Sequence, residues 1–249
     1  MPWIGLFINA WALPVWMLLR YLKPQKLAGD MRESGAFFAV LIGLAIVLLS
    51  DSERGLPVTL AIVNLFVLLV YLYHLSAVRH PVMPALDEEF PSLEIIGGKS
   101  WQARVFCGGE ARKSGSENGV SGVLVIFLRG SYCADSRSQL HQLRALVPEL
   151  NRRNIGLLLL SCQPAAKWPE ALTAGMQVLQ LDATGANAGR FVAPSAAPII
   201  LRPWLRDAAR PSAWLLDSEG YIVWRTLATN YRVTAGVELL RGQLFRIDD

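Results

Sequence analysis

The stretch Val123–Leu143, "VLVIFLRGSYCADSRSQLHQL", decides how the second half of this chain folds. It lies in an unbroken apolar run, "GVLVIFL" over 122–128, of the kind a strand buried on both faces requires. The run ends in a glycine turn at Gly130, followed by an aromatic and a thiol, Tyr132 and Cys133. From Ser136 to Arg152 the residues Leu140, Leu143, Val147 and Leu150 recur at helical spacing. Cys133 thus falls between a strand and a helix, where a helix N-terminus favours the thiolate and lowers its pKa. Arg129 adds to that effect and Asp135 opposes it. A free cysteine is most often a small buried hydrophobe, and that reading stays open beside the redox one. Ser136 stands where a second cysteine would complete a CxxC.

Outward from this stretch the pattern stays regular. "IGLLLLS" over 155–161 reads as a second buried strand, 168–175 as a short helix and 176–182 as a third strand. Residues 212–225 read as two strands joined by a turn at 218–220, and 234–247 as a closing helix. Strand, helix, strand, helix, strand, hairpin and helix predict an α/β sandwich with a parallel core. Chemistry in such sheets sits at the carboxyl ends of the parallel strands. The Gly/Ser-rich stretch 107–122 reads as an exposed loop. The proline-interrupted stretch 191–211 is either a covering loop or a docking surface for a membrane or partner. The domain is expected over 92–249, after a Pro-rich linker at 82–91.

The first eighty residues follow another rule. Residues 57–78 are an uncharged run of 22, and 34–50 an uncharged run of 17. A bilayer core needs about 20. Both are expected spans, because neither shows the polar face of a soluble helix. Residues 3–19, with Asn9, Pro14, Trp3, Trp11 and Trp16, either span with a kink or lie along the interface. They do not resemble a secretory signal, since no positive charge precedes the apolar run. Residues 1–81 are therefore expected to form a membrane region, making the lipid bilayer a partner. Arg20, Lys23, Lys26 and Arg32 lie between the first two runs, and Arg79 follows the last. The positive-inside rule then predicts a multi-pass protein of the inner (cytoplasmic) membrane, with its soluble domain in the cytoplasm. The inverted, periplasmic arrangement is the alternative.

Composition narrows the function classes. Net charge is +4, and the basic residues form no cluster of the kind nucleic-acid binding needs. Three cysteines, Cys107, Cys133 and Cys162, are too few for a disulfide-stapled fold. With only His74, His80 and His141 and no paired Cys/His spacing, no metal site or cofactor is expected.

Three stretches carry a family resemblance: Val123–Leu143, "NIGLLLLSCQP" over 154–164, and "RPSAWLLDSEGYIV" over 210–223. They resemble the thioredoxin superfamily, and most of all the redoxins of the alkyl hydroperoxide reductase/thiol-specific antioxidant group and membrane-tethered thioredoxin-like proteins. The resemblance covers about residues 90–249. It implies a thioredoxin-like fold, a central mixed sheet flanked by helices, with Cys133 as the nucleophile, Tyr132 as the aromatic before it and Pro211 as a cis-proline facing it. It also implies that 155–161 runs parallel beside 122–128, which brings Cys162 to the same edge as Cys133 and lets it resolve an oxidised Cys133. Cys107 is a second resolving candidate; His141 is expected to pack and Asp217 to be a hairpin residue. Three departures stand out. Ser136 replaces the resolving cysteine of a dithiol site and Asp135 its usual proline. Ile126 and Gly130 occupy the positions of the peroxidatic Pro and Thr/Ser. Arg210 is not equated with the peroxidatic arginine.

Two functions follow as expectations. One is a membrane-anchored thiol oxidoreductase acting through Cys133 on a thiol/disulfide protein or a low-molecular-weight thiol. The other is a redox-inactive binding or scaffold subunit of a membrane complex.

Overall fold

The computed structural model describes residues 1–22, 33–50, 55–70, 74, 77–110, 120–173, 176–194, 196–197, 201–231 and 235–247. The chain divides into two compact units, Met1–Ala77 and Val78–Asp249.

The first unit has three helices, α1 (Pro2–Leu22), α2 (Glu33–Leu49) and α3 (Gly55–Val70). Their large apolar side chains point outward: Trp3, Phe7, Trp11, Phe38, Ile42 and Phe66 are each more than half exposed. The inside holds a polar knot. Asn9 is fully buried, its amide donates to the Val40 carbonyl at 2.9 Å, and its side-chain oxygen accepts from the Asn64 amide at 2.8 Å. Gly5 and Gly43 allow α1 and α2 to touch backbone to backbone. A Cβ added at Gly43 would lie 2.6 Å from both the Asn9 nitrogen and the Gly5 oxygen.

No helix among the described residues is long and apolar enough to cross a membrane. With 17 and 16 residues, α2 and α3 fall short of the roughly 20 a bilayer core demands. Over 3–19, expected to span or to lie along the interface, α1 is long enough at 21 residues but not apolar enough, and the spans expected at 34–50 and 57–78 are not supported by helix length. The last runs past α3 through 71–73 and 75–76, which lie outside the described residues, as do the turn 51–54 and the basic segment 23–32.

The second unit is built on a five-stranded sheet. Its strands are β3 (Gly122–Phe127), β4 (Ile155–Ser161), β5 (Val178–Gln180), β8 (Ser212–Asp217) and β9 (Ile222–Leu227), in the order β5-β4-β3-β8-β9. β4 runs parallel to β3 and β5, β8 antiparallel to β3, and β9 antiparallel to β8. Two short pairs accompany it: β1 (Leu93–Ile95) with β2 (Lys99–Trp101), and β6 (Val192–Ala193) with β7 (Ala208–Ala209). The helices are α4 (Ala134–Arg152), α5 (Glu170–Thr173), α6 (Ala188–Phe191) and α7 (Val237–Gln243). A mixed five-stranded sheet flanked by helices fits the expected thioredoxin-like arrangement.

Side chains alternate across the sheet with the period of two that strands impose. Leu124, Ile126 and Leu128 pack with Leu140, Leu143, Leu146 and Leu150 of α4, and with Leu240 of α7. Val123, Val125 and Phe127 face the other way, into an aromatic cluster. There Phe127 stacks on Phe191 at 4.7 Å, and Phe90 meets Trp214 at 5.4 Å.

Several boundaries differ from the expected ones. α4 begins at Ala134, two residues before the apolar periodicity. The third strand shortens to Val178–Gln180, and the closing helix to α7 plus a turn at Leu244–Ile247. The stretch 107–122 starts as a helical turn, Phe106–Glu110, and 111–119 fall outside the described residues. The Pro-rich stretch 82–91 is no free linker, because β9 and the turn before it are an edge with open hydrogen-bonding groups. Asp87 donates to the Ile222 carbonyl, Ile222 to Glu88, and Phe90 to Gly220. The second unit accordingly starts at Val78. In 191–211, β6 and β7 close the stretch on itself; residues 195 and 198–200 lie outside the described residues.

Candidate functional site

β3 and β4 lie side by side in register, Phe127 opposite Leu160, and the Leu128 amide donates to the Leu160 carbonyl at 2.7 Å. Both strands therefore end at the same edge. Cys133 follows β3 as the N-cap residue of α4, and Cys162 directly follows β4. The parallel pairing implied by the resemblance is the one observed. Both thiols, and Cys107, are free.

The turn between β3 and α4 is held at several main-chain groups. The Arg129 amide donates to the Ser136 hydroxyl at 3.2 Å, tying the end of β3 to the first turn of α4. The Ser131 amide donates to Gln163 Oε1 at 2.6 Å. The Cys133 amide closes a turn on the Gly130 carbonyl at 3.0 Å, and the Tyr132 hydroxyl donates to the Arg129 carbonyl at 3.3 Å. Gly130 is needed because a Cβ there would collide with the Tyr132 ring. Ser136 is fully enclosed, and its hydroxyl has a structural task that a weakly accepting thiol would perform poorly.

Arg129 spreads its guanidinium over the Tyr231 ring at 4.3 Å and the Tyr132 ring at 5.8 Å. Its Nη2 donates to the Ala196 carbonyl at 3.2 Å. The positive charge is thus fixed beside the thiol rather than swinging in solvent. Asp135 presents Oδ2 to the Cys133 sulfur at 3.8 Å, within reach of a weak S–H donor.

The thiol's acidity departs from the sequence expectation. Cys133 is 7% exposed, and burial, seconded by the Asp135 carboxylate, pushes its pKa up. The Ser136 amide and Arg129 pull the other way and do not prevail. The magnitudes explain why. A helix N-terminus contributes about 0.3–1 kcal/mol, under about one pKa unit, a smaller effect than the full burial of a charge can have. Burial also lifts Cys162, with help from Asp207, to about 12, and Cys107, with help from Asp217, to about 11. Tyr132 lies close enough to Cys133 and Cys162 to feel both, and its own burial raises its phenol well above the ordinary 10.0.

The remaining expected residues fall as follows. Pro211 is not a cis-proline: no cis peptide bond occurs among the described residues. The trans link lets the chain run from β7 straight into β8. Pro211 precedes Ser212, the register partner of Phe127, so it lies at the thiol edge. There it lines a cavity of about 120 Å³ with Gln139, Ser212 and Thr226. Arg210 is a structural pin whose guanidinium donates to the carbonyls of Arg79, Gly189, Arg190 and Val192. Cys107 donates weakly to the Asp217 carbonyl at 3.9 Å. Asp217 is the hairpin residue expected, its carboxylate accepting from the Glu219 and Tyr221 amides at 2.9 Å. His141 is not among the groups that shift the Cys133 thiol. Among the described residues no group of His, Cys, Asp or Glu is arranged to hold a metal ion.

Two contributors escaped the sequence reading. Gln163 carries a signal in hindsight, since it is a polar residue next to Cys162 at a strand end. Tyr231 carries none, being separated from Arg129 by 102 positions of chain.

No protein-family model matches the chain, and no curated protein matches it. Several solved structures are similar to this chain over about two thirds of its length. A mutant of the peroxiredoxin 6 of Arenicola marina is 15% identical, with 67% of this chain and 73% of that one covered and a TM-score of 0.47. Reduced Prx3 from Vibrio vulnificus in complex with H2O2 is 16% identical, with 65% and 100% covered and a TM-score of 0.48. The peroxidoxin BcpB from Mycobacterium tuberculosis is 12% identical, with 70% and 97% covered and a TM-score of 0.44. Similarity at this level assigns neither activity nor partner to this chain.

Proposed function

We propose that this chain is a membrane-anchored thiol redox protein of thioredoxin-like fold that reacts through Cys133. The observation that carries the reading is the placement of Cys133. It caps α4 at the carboxyl edge of the parallel pair β3 and β4, in a turn anchored at four points beside a fixed Arg129. Such preorganisation is what a reacting thiol needs and what a mere packing residue does not.

Two first steps are open to it. The Cys133 thiolate attacks one sulfur of a disulfide R–S–S–R, forms Cys133–S–S–R and expels R–S⁻. With a hydroperoxide ROOH it takes the terminal oxygen, the O–O bond breaks, and the thiol becomes a sulfenic acid while ROH leaves with a proton. Cys162 or an outside thiol then attacks the modified sulfur. This leaves a disulfide and releases R–SH in the first case or water in the second.

The anchor is supported by the inverted packing of the first unit. A bundle with Phe and Trp outside, a buried Asn pair inside and Gly5 against Gly43 is built for an apolar surrounding. The Lys/Arg distribution favours the inner membrane with the second unit in the cytoplasm. Retention of the chain in the membrane pellet after carbonate washing checks the anchor; release into the supernatant removes it.

A second reading is favoured by one observation. All three thiols are buried and held protonated, as suits a fold kept as a binding module. Mass mapping after mild peroxide or glutathione disulfide separates the two. A redox site gives a modified Cys133 and faster modification in Asp135→Asn, which removes a carboxylate that disfavours the thiolate. An inert Cys133 in both proteins leaves the module.

A further inference from the structure

Gln163 joins the two thiol-bearing segments by a side chain. Its Oε1 accepts from the Ser131 main-chain amide at 2.6 Å, two residues before Cys133, while its main-chain amide donates to the Ser161 hydroxyl at 3.2 Å, at the end of β4. Ser161 is fully buried, so that end of the link cannot drift. The same oxygen would lie 3.1 Å from a Cβ at Gly130, so it fills the space beside that glycine. The turn 129–133 therefore has two kinds of tie. Those to Ser136, Gly130 and the Arg129 carbonyl are internal to the strand–turn–helix unit and travel with it. Beyond the sheet ladder, the Gln163 tie fastens the turn to the segment carrying Cys162.

We propose that Gln163 is a positioning residue of the thiol site, a latch that holds the Cys133 turn against the end of β4 and keeps its sulfur enclosed until the latch is released. This deepens the redox reading above and rests on Cys133 being the reacting thiol. Its consequence is that Cys133 reacts at a rate set by how often the Ser131–Gln163 bond opens, as well as by pH. Burial is what holds the thiol protonated, so releasing the turn lets water reach the sulfur and brings thiolate formation to lower pH.

Gln163→Met keeps the length of the side chain and lacks the accepting oxygen. Gln163→Glu keeps an oxygen in the accepting position and serves as the conservative rescue. Two measurements are made on the full chain in detergent or lipid. Hydrogen exchange of the peptide spanning 129–133 reads the latch without any redox chemistry. The pH profile of Cys133 alkylation by iodoacetamide reads the enclosure of the sulfur. The expected result is at least tenfold faster exchange and tenfold faster alkylation at neutral pH in Gln163→Met. Its alkylation midpoint moves to lower pH, and Gln163→Glu exchanges as slowly as the parent. Unchanged exchange in Gln163→Met overturns the latch, and so does equal loosening in Gln163→Glu. If exchange rises as expected but Cys133 ignores peroxide and glutathione disulfide in every variant, the latch stands and the redox reading falls.

Discussion

Phe66 in the first unit is 66% exposed while Asn9 is fully buried; in the second unit Trp214 and Phe127 are fully buried, and the large apolar side chains line two cores. Both units are rich in apolar residues, the first more so than the second. What differs is the direction in which the apolar groups point. In water an apolar group gains free energy by being enclosed, about 25 cal/mol per Å² of surface removed. An arrangement that turns Trp3, Phe7 and Phe66 outward forgoes that gain, and is favourable only if the surroundings are themselves apolar. In the structure α2 and α3 are shorter than a bilayer core demands, whereas α1 is not. The membrane anchor proposed above therefore rests on the burial pattern and not on helix length.

The comparison can be broken or sharpened by substitution. The largest effect is expected at Trp214, which is fully buried between Phe90 and Phe191. Trp214→Ala should lower the stability of the second unit by about 3–5 kcal/mol in denaturant unfolding. Phe66→Ala should change the first unit by no more than about 0.5 kcal/mol. A large loss at Phe66 would mean that the face is covered by protein rather than lipid. The next effect belongs to the helix contact. Gly43→Leu forces α1 and α2 apart and should cost about 1–3 kcal/mol, followed by tryptophan fluorescence in mixed detergent micelles. Gly35→Leu is the control, since a Cβ there meets nothing within 4 Å. Equal losses at the two positions would argue against a specific α1–α2 contact.

The last effect is a pH dependence. The Cys162 thiol rises from its ordinary 9.0 to about 12 on folding. A group whose folded pKa is raised contributes stability that is intact below the unfolded value and is lost as pH climbs through the folded one. Between pH 9 and about 12 the unfolded chain has released this proton and the folded chain has not, so stability should fall as pH rises. Cys162→Ala should flatten that decline in urea midpoints collected across the window. An unchanged slope would show that the thiol reaches solvent in the folded state.

Much of the second unit was legible in advance, for reasons particular residues make clear. "GVLVIFL" and "IGLLLLS" are apolar without alternation, and both became strands buried on each face. Leu140, Leu143 and Leu150 sit on one stripe of α4 because a 3.6-residue repeat can place them nowhere else. Cys133 at the head of that helix followed from the same pattern. The covering of the other face did not. Phe90 comes from a stretch that looked like a linker, and Phe191 from one that looked like a loop. Neither segment has a period to betray it.

The sequence by itself determined the alternation of strand and helix, the location of Cys133 and Cys162 at strand ends, and the loss of the CxxC at Ser136, because each is written in local spacing or residue type. Only the tertiary structure decided how acidic those thiols are, that Pro211 is trans, that Ser136 serves as an acceptor, and that Gln163 and Tyr231 belong to the site. These depend on how much water reaches a sulfur and on which distant segment lies against a turn. Both are properties of enclosure, and enclosure exists only when segments far apart in the chain have packed together.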